Sequence, residues 1–415
     1  MITIPASAAS SFFPRLPADP PASELALGVP GFSYADLHSP ARLADLHATF
    51  WAWFRAEAPE AASTFTEYAD AVASGAAVKP EAASTAVLVA APYVSRFVGR
   101  LFGVEQALEA LRASTEERGA LWRFKATFAK KRVLKESAGK AWRGTPAEAT
   151  AVARVALACA EVGAQADEEL RVASAVVALV DVDETARKSA KAGGAVWTPE
   201  LAARAATLRA ALHADPACAT VAGAAVAVEG PAPSPAEDGR VAALALDALE
   251  AWLAHRRHDH HDAAHAWPSL HAPRNLDFAK LVEVVRPDPT RPELFVGPAE
   301  HRRPRDGFAL TDRRMGARDV EQEIDYCLYC HERDKDSCSK GLRDAKTGAI
   351  KPNPIGVPLH GCPLEEKISE MHLVRHDEGD ALAALALVCI DNPMLPGTGH
   401  RICNDCMKAC IFQKQ

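Results

Sequence analysis

Eight of the chain's ten cysteines fall in its last 89 residues: Cys327, Cys330, Cys338, Cys362, Cys389, Cys403, Cys406 and Cys410. Only Cys159 and Cys218 precede them. Thiols gathered this densely are cross-linked, metal-bound or reactive, and the redox compartment decides which. The N-terminus, MITIPASAASSFFPRLPADPPAS, has no basic n-region and no sustained apolar stretch, so no secretory signal is expected. The longest apolar run, 86–94, covers about nine residues and contains Pro92. A membrane-spanning helix needs roughly 20. A cytoplasmic protein without a membrane span is expected. In a reducing cytosol, clustered cysteines bind metal more often than they pair as disulfides.

At 415 residues, 48% hydrophobic and 24% charged, the chain is long and apolar enough to bury a sizeable core. A formal net charge of -7 leaves no electrostatic footprint for nucleic acid. No GxGxxG and no P-loop occurs, so no nucleotide-binding motif is recognisable.

Residues 1–40 are rich in Pro, Ser and Ala and read as an irregular tail. Residues 41–228 are Ala-rich with few strand signals and read as an all-α domain. Thr145 is placed as an N-cap, Pro146 as the first helical residue, and Glu148 as the partner in a capping box. Val152, Val155, Cys159 and Val162 then share one apolar face, which makes Cys159 a core residue. Thr198 and Pro199 repeat the start signal, and Leu201, Leu208 and Leu212 share a face before Pro216. Val104, Leu108 and Leu111 form a further stripe. The basic stretch Arg123, Lys125, Lys130, Lys131, Arg132 and Lys135 is interleaved with Leu121, Phe124 and Phe128. It reads as an amphipathic helix with a solvated basic face.

Residues 229–306 read as linker, helix and His/Pro-rich segment. PAPSPAEDG (231–239) and RPDPTRPELFVGP (286–298) are linker signals. Between them, Leu246, Leu249 and Leu253 mark a helix. His255, His258, His260, His261, His265 and His271 follow. His261 and His265 stand at a chelating i, i+4 spacing, but a solvated polar helix end is the favoured reading.

The cysteine segment opens with Cys327-Leu328-Tyr329-Cys330, a CxxC that can converge on one metal site, and Cys338 follows. Cys362 precedes Pro363, and Leu364, Ile368 and Met371 are helically spaced. This predicts Cys362 at an N-cap, where the positive helix end favours a thiolate. Cys403, Cys406 and Cys410 stand at i, i+3 and i+7 and would share one helix face. Asp380 can cap a helix in which Leu382, Leu385 and Cys389 share a face, so Cys389 reads as core. Cys327, Cys330, Cys338, Cys362, Cys403, Cys406 and Cys410 are the metal-binding candidates. Zinc would use two CxxC pairs as a tetrahedral site. Their separation is far beyond a zinc-ribbon interval, and Cys338 and Cys362-Pro363 would be left over. Iron–sulfur ligation is the expected chemistry.

Residues 320–412 resemble the N-terminal iron–sulfur domain shared by the glutamate synthase small subunit and dihydropyrimidine dehydrogenase. The shared order is Cys362-Pro363, a helix with Ile368, Gly379-Asp380, an Ala-Leu helix and Asn392-Pro393. Gly399-His400-Arg401-Ile402-Cys403 and the closing cysteines complete it. The resemblance implies two [4Fe–4S] clusters, one on Cys327, Cys330, Cys338 and Cys410, the other on Cys362, Cys403 and Cys406. The second lacks an obvious fourth ligand, for which Cys389 and Gln413 are substitutes. The interval from Cys338 to Cys362 is longer than the family's. The resemblance also implies an electron-transfer component of an NAD(P)H-linked, flavin-dependent oxidoreductase. FAD and NAD(P)H would be held by a partner flavoprotein or a downstream part. The expected fold is mostly α: an Ala-rich helical N-terminal domain and a small helical, ferredoxin-like two-cluster iron–sulfur domain at 307–415. A zinc-stabilised interaction module without redox activity is the alternative.

Overall fold

Proline at the first helical turn sets the start of seven of the described α-helices, because its fixed φ suits a helix and its missing N–H is not needed there. The computed structural model describes residues 25–117, 119–160, 167–192, 197–225, 234–273, 275–298, 307, 315–333, 335–398 and 403–412. In order the helices are α1 (Pro40–Glu57), α2 (Pro59–Ala73), α3 (Pro80–Leu101), α4 (Glu105–Glu117) and α5 (Gly119–Phe124), which runs into a π-helical stretch, Lys125–Val133. Then come α6 (Pro146–Ala158), α7 (Glu168–Ala192), α8 (Pro199–Ala214), α9 (Pro216–Ala225), α10 (Pro235–His258) and α11 (Ala317–Asp325). The cysteine segment adds α12 (Ser337–Lys340), α13 (Ile368–Asp377), α14 (Ala381–Cys389), α15 (Leu395–Thr398) and α16 (Asp405–Ala409). The described residues contain isolated β-bridges but no strand. The fold is mostly α, as expected.

The chain divides into two units. One takes residues up to Ala113 and returns with Cys327–Ile411; the other takes Ser114–Tyr326 and the residues from Phe412. The division cuts the expected segment 41–228 after residue 113. It also joins the cysteine stretch to α1–α3.

In the unit starting at Ser114, α5–α10 close around Phe124, Phe128, Val152, Val176, Leu212, Leu249 and Leu253. Full burial of each such side chain stabilises by about 1.5–3 kcal/mol. The expected caps are present: Thr145 and Glu148 form a capping box, and Thr198 caps α8. Leu208 and Leu212 are buried, and Leu201 packs beside them on Val182 and Ala242. Cys218 is fully buried in this core, and Cys159 sits at its edge as the C-cap of α6.

Two expectations are corrected here. The segment 231–239 is not all linker, because Ser234 and Glu237 form the capping box that starts α10. A Ser-Pro-x-Glu run is a helix-start signal as well as a Pro-rich one. The basic stretch is not a uniformly solvated face either. Lys125 is fully buried, with its ammonium 4.5 Å from the Tyr326 ring and 4.0 Å from Asp325. The π-helical geometry shifts side-chain positions relative to 3.6 periodicity and turns Lys125 inward. The histidine segment is a polar helix end. His265 Nδ1 bonds the Arg257 carbonyl at 2.7 Å, and His271 Nε2 bonds the His265 carbonyl at 3.2 Å.

In the other unit, α1 and α3 pack through Phe50, Trp53, Phe54, Tyr93 and Phe97, and α2 joins them through Ala62 and Phe65. α3 also packs on α13 and α14 through Val87, Ala91, Val374, Ala383 and Leu387. By length and composition α3 could cross a membrane, but 44% of its 18-residue apolar window is buried here, it contains Pro92, and its buried side serves this core. Buried Asp380 ties three elements together: it caps α14 at Ala383 N (2.9 Å), accepts from Ser95 (2.7 Å) on α3, and pairs with Arg112 on α4.

Candidate metal centre

The CxxC turn is shaped around its first sulfur. Tyr329 adopts a positive φ of 49°, rare for a residue with a side chain, and this turns its N–H onto Cys327 Sγ at 3.4 Å. Cys330 opens a single 3-10 turn, Cys330–Arg333, and is buried. Ser369, fully buried on α13, lies 3.9 Å from Cys327 Sγ and 2.7 Å from His331 Nδ1. N–H and O–H groups aimed at sulfur tune the potential of iron–sulfur sites.

The long interval between Cys338 and Cys362 does not separate them. Residues 342–359 fold back on themselves through bridges Arg343–Ile350 and Pro352–Pro358 and the bond Leu342 N to Leu359 O (2.9 Å). Two glycines then let the ends cross. Gly341 (φ 87°) and Gly361 (φ 79°) pass so closely that a Cβ on Gly361 would lie 2.6 Å from Gly341 N and 2.9 Å from the Cys338 carbonyl. Cys362 N bonds that same carbonyl at 2.8 Å.

α12, which carries Cys338, packs on α16, which carries Cys406 and leads to Cys410. The thiols fall into two sets of electrostatic neighbours. Cys338 is hydrogen-bonded to Cys410, and Cys327 and Cys330 lie within electrostatic reach of Cys410. Cys406 has Cys362 and Cys403 as its neighbours, followed by the carboxylate of Glu366. Every shift resolved in these groups is upward. For Cys338 the first cause is the bond to Cys410, with burial second. For Cys327, Cys330 and Cys406 burial comes first, and neighbouring thiols add to it. Asp336 beside Cys330 and Cys338 is itself pushed up to about 6 by burial. Thiols that disfavour one another's ionisation in this way are a donor set short of positive charge, and a bound cation reverses the balance.

All ten cysteines are free of disulfides. Among the described residues no group of three or more His, Cys, Asp or Glu side chains is placed to hold a metal ion. A tetrahedral zinc needs four donors about 2.0–2.3 Å from one point. A [4Fe–4S] cluster spreads its four thiolates over its irons and suits sulfurs that are neighbours without meeting at one point. The first group offers four thiols. The second offers three and the Glu366 carboxylate.

Three local readings are corrected. Cys362 is not an N-cap: 363–364 form a turn, Glu365 has φ 53°, and α13 begins only at Ile368. Cys403, Cys406 and Cys410 do not share a helix face, since α16 holds Cys406 alone and Cys410 leaves it with extended backbone. Cys389 is half-buried at the end of α14, whose buried face is Ala383, Ala384, Leu387 and Val388 instead. The stretch Gly399–Ile402 that the resemblance uses, and Gln413, lie outside the described residues. Gly341, Gly361 and Ser369 were not singled out from sequence. The glycines are visible only as the flanks of a loop, and Ser369 only as a polar residue inside a helix.

No family profile matches the chain, and no solved structure matches it. It is similar to the uncharacterized protein RP005 of Rickettsia prowazekii (strain Madrid E), 45% identical over 56 residues. That alignment covers 12% of this chain, and the chain spans about a fifth (19%) of the length of that relative.

Proposed function

We propose that this chain is an iron–sulfur electron-transfer protein, in which Cys327, Cys330, Cys338 and Cys410 hold one [4Fe–4S] cluster. Cys362, Cys403 and Cys406 would hold a second, with Glu366 as the adjacent carboxylate donor. The observation that supports this reading is the packing of α12 on α16, which sets Cys410 against Cys338 and within electrostatic reach of Cys327 and Cys330. When bound, such clusters accept and donate single electrons without forming or breaking bonds to substrate. The protein's own residues hold the sulfurs and set their surroundings. Tyr329 N–H donates to Cys327, Ser369 lies against that sulfur and His331, and the crossing at Gly341 and Gly361 keeps Cys338 beside Cys362. The setting is cytoplasmic. FAD and NAD(P)H would be bound by a partner flavoprotein or a further domain that exchanges electrons with the clusters.

The test is the metal and sulfide content of the chain purified without air. Two clusters give a brown protein with about eight irons and matching acid-labile sulfide. A colourless protein with stoichiometric zinc and no sulfide overturns the proposal in favour of an interaction module.

A further inference from the structure

Among the buried polar atoms of the cysteine-bearing unit that have no hydrogen-bond partner are Asp336 Oδ1, Ser337 Oγ and Glu370 Oε2. Their residues are only 8%, 2% and 1% exposed. All three residues line the same groove, a cavity of about 750 Å³ between α2, α3, α12 and α13. An orphaned buried acceptor costs about 1–3 kcal/mol, and a native fold rarely keeps several together without a use for them. Glu370 is fixed from one side only. Ser84 Oγ on α3 donates to its Oε1 and leaves Oε2 without a donor. The two carboxylates accept, and the hydroxyl can accept as well, so these residues call for a donor group.

Lys335, Lys340 and Lys351 line the same groove, Lys340 near enough to Asp336 to favour its charge, and two further cations are already engaged: Lys367 pairs with Asp391 (3.0 Å), and Arg343 bonds the Gly348 carbonyl (3.1 Å). Tyr68, Val78, Pro80 and Ala83 supply an apolar wall. The volume is that of a small-molecule pocket.

We infer that this groove binds a small organic molecule with an amino group that meets Asp336, Ser337 and Glu370, and an anionic group that meets the lysines. The inference does not require metal on the cysteines. The full chain, purified without air, is titrated calorimetrically with three probes: lysine (amine and carboxylate), cadaverine (amines only) and glutarate (carboxylates only). Lysine should bind most tightly and glutarate least. Glu370→Gln keeps the side chain's size but removes the charge, and it should weaken lysine binding by about tenfold or more. Glu60→Gln, exposed on α2, should leave it unchanged. Ala83→Phe puts a ring into the groove while leaving both carboxylates in the sequence and should abolish binding, which keeps the test decisive if Glu370→Gln does not fold. Absence of heat with lysine, glutarate binding as tight as lysine, or lysine binding unaltered by Ala83→Phe would overturn the inference.

Discussion

The helical core around α7 and α10 and the cysteine stretch 327–365 are built on different principles. The core buries a continuous set of apolar side chains, including Phe124, Phe128, Leu212, Leu249 and Leu253 at 0–1% exposure. From 327 to 365, the buried apolar side chains among the described residues are Cys330, Leu359 and Cys362. That stretch is held by turn hydrogen bonds, two tight glycines and the mutual approach of thiols. An apolar core stabilises itself, whereas on the proposed reading a loop assembly with so little buried carbon would take its stability from the clusters its thiols hold.

The largest expected effect follows from that contrast. Removing iron with a chelator and an oxidant should abolish amide protection at 327–342 and 403–410. Amides of α7 and α10 should stay protected, as hydrogen exchange would read directly. Uniform loss across both regions would break the comparison. Next in size, Leu253→Ala opens a cavity in the core and should cost about 2–5 kcal/mol in denaturant unfolding. It should leave the iron content per folded chain unchanged.

A smaller effect comes from Lys125, whose ammonium burial lowers to about 8 from 10.5. Between those values the unfolded chain binds more protons than the folded one, so stability should rise with pH from about 8 to 10.5. Lys125→Met should remove that rise and stabilise the protein at neutral pH by about 1–3 kcal/mol, since Asp325 keeps Lys130 at 2.6 Å. A destabilised variant would show instead that the contact with the Tyr326 ring outweighs the burial. The smallest effect is at a cap: Thr145→Ala should cost about 1 kcal/mol.

The same contrast explains what the sequence made legible. Helix starts at Thr145 and Thr198 were readable because capping is local and its residues are adjacent. The core faces were readable because burial repeats with the helix period. Lys125 was not, because a π-helical stretch breaks that period. In the cysteine stretch, residue type identified the candidate ligands, but local periodicity misplaced Cys362, Cys403 and Cys410. Their positions depend on contacts between distant residues, such as the crossing of Gly341 and Gly361, which leave no periodic trace. The buried polar face of α13, Ser369 and Glu370, ran against the apolar stripe expected from Leu364, Ile368 and Met371 for the same reason. Those polar residues have partners on other elements, His331 and Ser84.

The most direct test of the account is the iron and acid-labile sulfide of two single variants beside the parent, all purified without air. Cys338→Ser breaks the four-thiol group and Cys406→Ser the three-thiol group. The account predicts about eight irons in the parent and about four in each variant, with sulfide falling in step. Iron and sulfide absent from the parent, or unchanged in both variants, would contradict it.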